Sequence, residues 1–176
     1  LINRISQSKY CNDLILCTTK QKEDEDLIKY ANLKNIKYFT GDRDFVMKRM
    51  LDACNKFNVE HFVRVTCDNP VIDPAIVDKV IQHHLHVKSD YTTIQNGILP
   101  VGMNVEVCSK KYLDFMVRNC KDTSIGEYLT FYVENDKTGL FFKNKINLEI
   151  SDDFKKYCKK ARFTVDYKED LEFFNS

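Results

Sequence analysis

The stretch that decides the fold is residues 61–74, with the sequence HFVRVTCDNPVIDP. Its first six residues are rich in apolar and β-branched side chains, which predicts a strand, and the turn-forming residues 68–70 end that strand. Asp73 and Pro74 then begin a helix, because aspartate is a favoured N-cap and proline fits the first helical position. A strand, a short turn and a helix in succession are typical of an α/β protein.

The same alternation continues on both sides of this stretch. Further strands are predicted at residues 13–18, 36–39, 90–94, 104–108, 141–150 and 162–165. Helices are predicted at residues 24–34, 46–57, 109–117 and 125–133 and from Asp166 through Phe174, with Asp44 and Ser109 as N-caps of the second and third. Because no repeat, low-complexity stretch or linker interrupts the pattern, we expect one α/β domain with a largely parallel sheet, spanning residues 1–176.

Composition narrows the class of protein. Hydrophobic residues make up 43% and charged residues 30% of the 176, which is a globular profile, and the formal net charge is +1. Such a balance gives no overall attraction to nucleic acid or to an anionic membrane. The seven cysteines include no Cys-x-x-Cys pair, and no apolar run reaches the roughly 18 residues of a membrane span. We therefore expect a cytoplasmic protein with core thiols.

Two aspartates occupy equivalent places in this pattern. Asp68 follows the predicted strand at residues 61–66, and Asp166 follows the one at residues 162–165. Ligands of open α/β sheets bind outside the carboxyl ends of the strands, and paired carboxylates there suit Mg²⁺, which takes hard oxygen ligands. The alternative is that each aspartate only caps the helix or turn that follows it. Position alone does not decide between the two interpretations.

Four segments in order resemble one enzyme family. They are residues 41–49 (GDRDFVMKR, similar to G-x-x-x-D-V-L-x-R), 63–74 (VRVTCDNPVIDP, similar to R-x-T-x-D-x-P-x-I-D-P), 100–107 (PVGMNVEV, similar to P-x-G-x-D-V-E-V) and 162–172 (RFTVDYKEDLE, similar to R-x-T-V-D-x-x-E-D-L-E). The chain thus resembles, nearly end to end, the sugar-activating cytidylyltransferases of the spore-coat polysaccharide type. These are related to the acylneuraminate and 3-deoxy-manno-octulosonate (KDO) cytidylyltransferases.

The resemblance implies a fold and a reaction. The fold would be a Rossmann-like three-layer sandwich of the nucleotide-diphospho-sugar transferase (glycosyltransferase-A) type, with a mixed, mostly parallel sheet. The reaction would transfer CMP from CTP to a sugar acid, with release of pyrophosphate, in surface polysaccharide or glycan biosynthesis. Asp68 and Asp166 would be the catalytic pair that holds Mg²⁺. A homodimer is a further hypothesis.

The resemblance also suggests substrate-binding residues, namely Arg64, Asn69, Gly102, Asn104, Glu106 and Glu127. Strand alternation places Asn104 and Glu106 on one face, where Glu106 contacts the sugar or else faces solvent. Arg64 needs a carboxylate or phosphate partner inside a sheet, so a structural ion pair is its alternative role. Gly102 allows the backbone to approach a ligand closely, or it is a plain turn glycine.

The three histidines at positions 83, 84 and 86 do not predict a catalytic or zinc site. They lie at the end of a predicted helix, where cations favour the helix dipole, and we expect them on one surface turn. No cysteine or carboxylate completes a zinc pattern around them.

The chain departs from the family pattern in three places, of which the mildest is Asn104, where the family has aspartate. Family members begin with a strand and a basic, glycine-containing loop, roughly A-R-x-G-S-x-R-L-P-G-K, and nothing here matches it, so we expect this chain to lack that strand and loop. In residues 125–130 (IGEYLT), Glu127 and Thr130 match the family's R-E-H-V-T, whereas Tyr128 replaces histidine.

Two alternatives to a cytidylyltransferase remain. One is a glycosyltransferase that uses a nucleotide-sugar, although its Asp-x-Asp motif is missing. The other is a non-catalytic module.

Overall fold

The computed structural model describes residues 1–120, 129–158 and 160–175. Its strands are β1 (Ile15–Thr18), β2 (Lys37–Thr40), β3 (His61–Arg64), β4 (Tyr91–Ile94), β5 (Glu106–Ser109) and β6 (Lys143–Ile146). Its helices are α1 (Ile2–Ile5), α2 (Glu25–Leu33), α3 (Val46–Phe57), α4 (Pro74–His86), α5 (Lys110–Asn119), α6 (Leu129–Asn135), α7 (Asp152–Cys158) and α8 (Lys168–Asn175). A 3-10 turn, Lys22–Asp24, precedes α2. None of these helices is both long and apolar enough to cross a membrane.

The chain divides into two compact units, each built from separated segments. The first comprises Leu1–Cys11, Val63–Val107 and Lys143–Ser176, and the second comprises Asn12–Phe62 and Cys108–Phe142. A two-stranded sheet, β1-β2, belongs to the second unit, and a four-stranded sheet has the order β3-β5-β4-β6. The pairs β1-β2 and β4-β6 are both parallel. Every candidate site residue that the structure describes belongs to the first unit.

The core of the first unit forms around β4. All four residues of β4 are buried, as expected for a strand covered on both faces, and α4 packs against it. The buried apolar side chains of this unit include Ile72, Val77, Val80, Tyr91, Ile94, Val105, Val107 and Ile146. This packing gives the candidate site a rigid base.

The core of the second unit forms around α3, which packs against β1 and α5. Met47, Leu51 and Cys54 lie on the buried face of α3 at helical spacing. Burial raises the pKa of the Cys54 thiol to about 11. Cys54 is therefore a protonated core thiol, as its apolar sequence context predicted.

Two helix starts predicted from the sequence are confirmed. The Asp73 side chain accepts the N–H of Ala75 at 2.8 Å, with Pro74 as the first helical residue of α4. At the start of α5, the Ser109 hydroxyl accepts the N–H of Tyr112 at 3.2 Å. Each cap satisfies one backbone donor that the first helical turn leaves without a partner.

The prediction that Asp44 caps α3 is wrong. The N-cap of α3 is Phe45, and the carboxylate of Asp42 instead accepts the N–H groups of Asp44, at 3.1 Å, and Phe45, at 2.9 Å. The aspartate that organises this start therefore lies in the turn before the helix. Turn-forming aspartates commonly bond backbone groups two residues onward.

The predicted last strand, at residues 162–165, is not a regular strand. Arg162 forms only an isolated parallel bridge with Val101, and the N–H of Val165 bonds to the Asp68 carbonyl at 2.8 Å. The segment divides its backbone bonds between two partners, so no continuous ladder forms. The predicted strand at residues 141–150 is confirmed only in part, as β6, and the closing helix is confirmed as α8.

Candidate active site

Asp68 and Asp166 belong to segments that lie side by side in the first unit. Asp68 follows β3, and its backbone carbonyl accepts the N–H of Val165, the residue before Asp166, at 2.8 Å. Residues almost a hundred positions apart in the chain are thus joined by a main-chain hydrogen bond. The neighbouring positions agree with the sequence prediction, whereas a shared cation stays a prediction.

The Asp68 carboxylate has the character of a ligand-binding group. Its Oδ1 atom is buried and has no hydrogen-bond partner in the part of the chain that the structure describes. Leaving a buried charged acceptor unsatisfied costs more than about 1–3 kcal/mol, the figure for a neutral group. A hard divalent cation is the natural partner for such an oxygen. The Asp68 carboxylate is therefore suited to coordinate Mg²⁺.

The Asp166 carboxylate, by contrast, is held by neighbouring side chains. Its Oδ2 atom accepts the Thr164 hydroxyl at 2.6 Å and forms a short ion pair with Arg162. Its side chain remains 44% exposed. Asp166 can thus still reach a ligand, but Arg162 already balances its charge.

Asp170 completes this arrangement. Its Oδ1 accepts from Arg162 at 2.5 Å, and its Oδ2 accepts the N–H groups of Asp166 and Tyr167, both at 2.9 Å. The hydrogen bond from Arg162, followed by these backbone bonds, lowers the pKa of Asp170. The hydrogen bond to Asp170 likewise raises the pKa of Arg162.

Arg64 and Glu106 form a buried ion pair between β3 and β5. The Arg64 guanidinium donates to Glu106 Oε2 at 3.0 Å, and the Tyr91 hydroxyl donates to Oε1 at 2.5 Å. The Glu106 side chain is only 6% exposed, so the alternative of a solvent-facing glutamate is wrong. The expected carboxylate partner of Arg64 is confirmed. A direct contact of Glu106 with sugar stays a prediction, although both of its oxygens already accept hydrogen bonds.

Two asparagines were also predicted to bind substrate. Asn69 donates its side-chain N–H to the Thr66 hydroxyl at 2.9 Å, and its buried Oδ1 has no partner among the described residues. Asn104 donates to the Thr93 hydroxyl at 3.1 Å. Asn104 is exposed and lies outside β5, which begins two residues later at Glu106. The alternation of side chains along a strand therefore does not apply to it, and it does not share a face with the buried Glu106. Substrate binding by either asparagine stays a prediction.

Gly102 makes a close approach, but to the chain itself. Its φ is +93°, and a Cβ atom there would lie 2.6 Å from the backbone carbon and oxygen of Phe163. Only glycine fits both the conformation and the contact. Gly102 thus lets residues 101 and 163 form the backbone bond that anchors the closing segment, with Phe163 donating its N–H to the Val101 carbonyl at 2.8 Å.

The histidines do not share one surface turn, as the sequence suggested. His84 is fully buried, with its Nδ1 atom 3.0 Å from the Thr92 hydroxyl, whereas His86 is exposed. The prediction fails for His84 because the helix turns it toward β4. In the ranges described above, no group of three or more histidines, cysteines or acids could hold a metal. Glu127 lies outside the described residues.

Residue-by-residue reasoning missed Arg162, Thr164 and Asp170 as partners of Asp166, although all three lie in the quoted motif at residues 162–172. The i, i+4 and i, i+8 spacing of Arg162 from the two acids was the available signal. Tyr91 gave no signal of its own, because its bond to Glu106 depends on the pairing of distant strands.

The chain is similar to known proteins along nearly its whole length. A family model described as cytidylyltransferase matches residues 1–175. The chain belongs to the cytidylyltransferase family. The spore coat polysaccharide biosynthesis protein SpsF of Bacillus subtilis is 29% identical over 177 residues, which covers 98% of this chain and 71% of that protein. An uncharacterized protein of Methanocaldococcus jannaschii is 30% identical over 133 residues, 76% of this chain and 54% of that protein. The chain thus spans about half the length of that second relative.

Solved structures agree with the family. A cytidylyltransferase from Leptospira borgpetersenii superposes with a TM-score of 0.86 at 26% identity, covering 98% of this chain and 71% of that one. A CMP-2-keto-3-deoxy-manno-octonic acid synthetase, solved with CTP, has a TM-score of 0.62 at 11% identity, covering 98% of this chain and 83% of that one, which shows a shared fold alone. The predicted α/β fold with a mostly parallel sheet is confirmed, and so is the resemblance to the spore-coat and KDO type.

Proposed function

We propose that this cytidylyltransferase transfers CMP from CTP to a sugar acid and releases pyrophosphate, in the synthesis of a surface polysaccharide or another glycan. The observation that carries the proposal is the main-chain bond between Asp68 and Val165, which places the two acidic motifs of the family next to each other. The name of the Bacillus subtilis relative supports a role in polysaccharide synthesis. The reaction would take place in the cytoplasm.

Asp68 and Asp166 would hold Mg²⁺ through their carboxylates, with substrate phosphates and water as the other ligands. When bound, the ion would polarise the phosphate oxygens and neutralise charge as the reaction proceeds. Asp68 supports this role because its buried Oδ1 atom has no partner in the described ranges.

The chemistry needs positioning more than proton transfer. A sugar hydroxyl oxygen bonds to the α-phosphorus of CTP and loses its proton to water. The bond from that phosphorus to the bridging oxygen breaks, and pyrophosphate leaves with the electron pair. In-line attack requires the two substrates to be held in fixed geometry. Arg64, held by the buried Glu106, would supply a fixed positive charge for the carboxylate of the sugar acid.

The test is a coupled pyrophosphate assay on the full natural protein. Protein, CTP and Mg²⁺ are incubated with a panel of 2-keto sugar acids, and the CMP-sugar is identified by mass spectrometry. We expect pyrophosphate and a CMP-sugar with at least one acid, and neither with EDTA. Asp153→Asn is a matched control, since Asp153 is exposed on α7 and should leave the rate unchanged. Sugar transfer from a nucleotide-sugar without pyrophosphate would refute the proposal, and so would inactivity with every acid. Light scattering tests the homodimer that we also propose.

A further inference from the structure

The Asp166 side of the candidate site contains a charge arrangement that the reaction alone does not require. Arg162 lies between two carboxylates, with one terminal nitrogen on Asp166 Oδ2 and the other on Asp170 Oδ1. The Arg162 side chain is 39% exposed, so it can move without opening the core. It binds an oxygen of the same carboxylate that a metal ion would use.

Further contacts hold the carboxylates of Asp166 and Asp170 in place besides those that they make with Arg162. The Thr164 hydroxyl donates to Asp166 Oδ2 at 2.6 Å and itself accepts from Arg162 at 2.7 Å. Because the proton in the bond to Asp166 is the hydroxyl's own, that bond does not require the arginine as a donor. The backbone N–H groups of Asp166 and Tyr167 hold Asp170 at 2.9 Å, so Asp170 is a fixed anchor for the other arm of Arg162. The carboxylate can therefore keep its place while the position of the positive charge changes.

We propose that Arg162 is a positioning residue that sets the divalent-cation affinity of Asp166 by competing for its carboxylate, and that Asp170 moderates this competition by holding the arginine. The inference rests on the proposed function, in which Asp166 is a metal ligand. In the metal-free protein Arg162 balances the charge of Asp166. When a cation binds, Arg162 remains on Asp170, and the cation takes its place at Asp166.

This competition predicts opposite effects for the two partners of one ion pair. Arg162→Gln removes the competing positive charge, so the cation should bind more tightly. Asp170→Asn removes the charge that would keep the arginine on residue 170 when a cation binds, so Arg162 should remain on Asp166 and the cation should bind more weakly. A purely structural role would weaken binding in both variants.

The measurement is Mn²⁺ titration of the whole protein without nucleotide, with free Mn²⁺ followed by electron paramagnetic resonance. From the usual strength of exposed ion pairs we expect shifts of about three- to fivefold in Kd, upward for Asp170→Asn and downward for Arg162→Gln. Both shifts should shrink in high salt, because exposed charges are screened. The control Arg118→Gln breaks the exposed pair with Asp114 and should not change Kd. Arg162→Met replaces Arg162→Gln if the latter does not fold.

Two further variants separate this inference from the proposed function. Asp68→Asn and Asp166→Asn should each weaken Mn²⁺ binding at least tenfold, and if neither does, the cation site itself is wrong and the inference fails with it. If both weaken binding while the Arg162 and Asp170 variants shift together, or not at all, only the competition is refuted.

Discussion

Two arginine–carboxylate pairs in the first unit differ in almost every physical respect. The pair Arg64–Glu106 lies within the sheet, with side chains 19% and 6% exposed, and a tyrosine hydroxyl binds the second oxygen of the acid. The pair Arg162–Asp166 lies at the surface, with side chains 39% and 44% exposed. A buried pair resists disruption because a lone charge is costly there, whereas an exposed pair is easily exchanged. The first pair is therefore fixed in place, whereas the second can rearrange.

The largest expected effect is on the buried pair. Glu106→Ala leaves the Arg64 charge buried without its acid, so the free energy of unfolding should fall by about 3–5 kcal/mol. Urea denaturation monitored by circular dichroism measures the change. The control Glu60→Ala removes a glutamate that is 69% exposed in its pair with Lys110 and should cost at most about 1 kcal/mol. Equal losses in the two variants would erase the distinction between buried and exposed pairs.

The second prediction concerns Asp68, which lies four residues after Arg64 of the buried pair. Asp68→Asn should lower kcat by about a hundred- to a thousandfold, as loss of one electrostatic group does in other enzymes. Its melting temperature should not fall, because the substitution removes the charge from a carboxylate whose buried Oδ1 atom has no hydrogen-bond partner in the described residues. Pyrophosphate release and thermal melting give the two values. A fall in melting temperature without loss of rate would show that Asp68 is structural.

The third prediction concerns the attachment of the closing segment, which carries the exposed pair. Gly102→Ala places a Cβ atom against the Phe163 backbone at a φ of +93°. Strain of this kind costs about 1–3 kcal/mol. Gly97→Ala is a matched control with positive φ but open space around the Cβ position. Thermal melting separates the two effects, because Gly102→Ala should lower the melting temperature more than Gly97→Ala does. Equal losses of melting temperature would show that the contact with Phe163 does not matter.

The smallest effect is the pH dependence of the exposed pair. The hydrogen bond from Arg162 lowers the pKa of Asp170 in the folded state, so its stabilising contribution is present above the unfolded carboxyl pKa of about 3.9 and is lost as the pH falls through the folded value. The difference in melting temperature between the wild type and Asp170→Asn should therefore persist at pH 6 and diminish toward pH 3. A difference that grows on acidification would contradict this sign.

Local features of the fold could be predicted, because they depend on neighbours in the chain. Asp73 and Ser109 cap their helices as expected, since a cap needs only a residue two or three positions onward. The start of α3 was misassigned because the sequence does not show whether Asp42 or Asp44 accepts the backbone N–H groups there. The strand at residues 162–165 was overpredicted, because its pairing depends on segments some sixty to a hundred positions away.

The sequence predicted where the candidate site residues lie in the fold, but it did not predict which side chains they contact. The sequence placed Asp68 and Asp166 after strands. It gave no sign that one would have a buried oxygen without a partner among the described residues and that the other would be bound by Arg162. Glu106 was expected near substrate, but its partners Arg64 and Tyr91 come from other strands. Side-chain partners across a sheet follow from strand order, which periodicity does not reveal.

The bond that joins the two acidic segments has a consequence for engineering. It connects the Asp68 carbonyl to the Val165 amide, so it consists of atoms that every amino acid except proline can provide at position 165. Replacing either acid with histidine, cysteine or glutamate would leave this connection intact. The segment pair is therefore a scaffold on which the proposed donor set, and with it the ion that it would prefer, can be redesigned without rebuilding the loop that carries it.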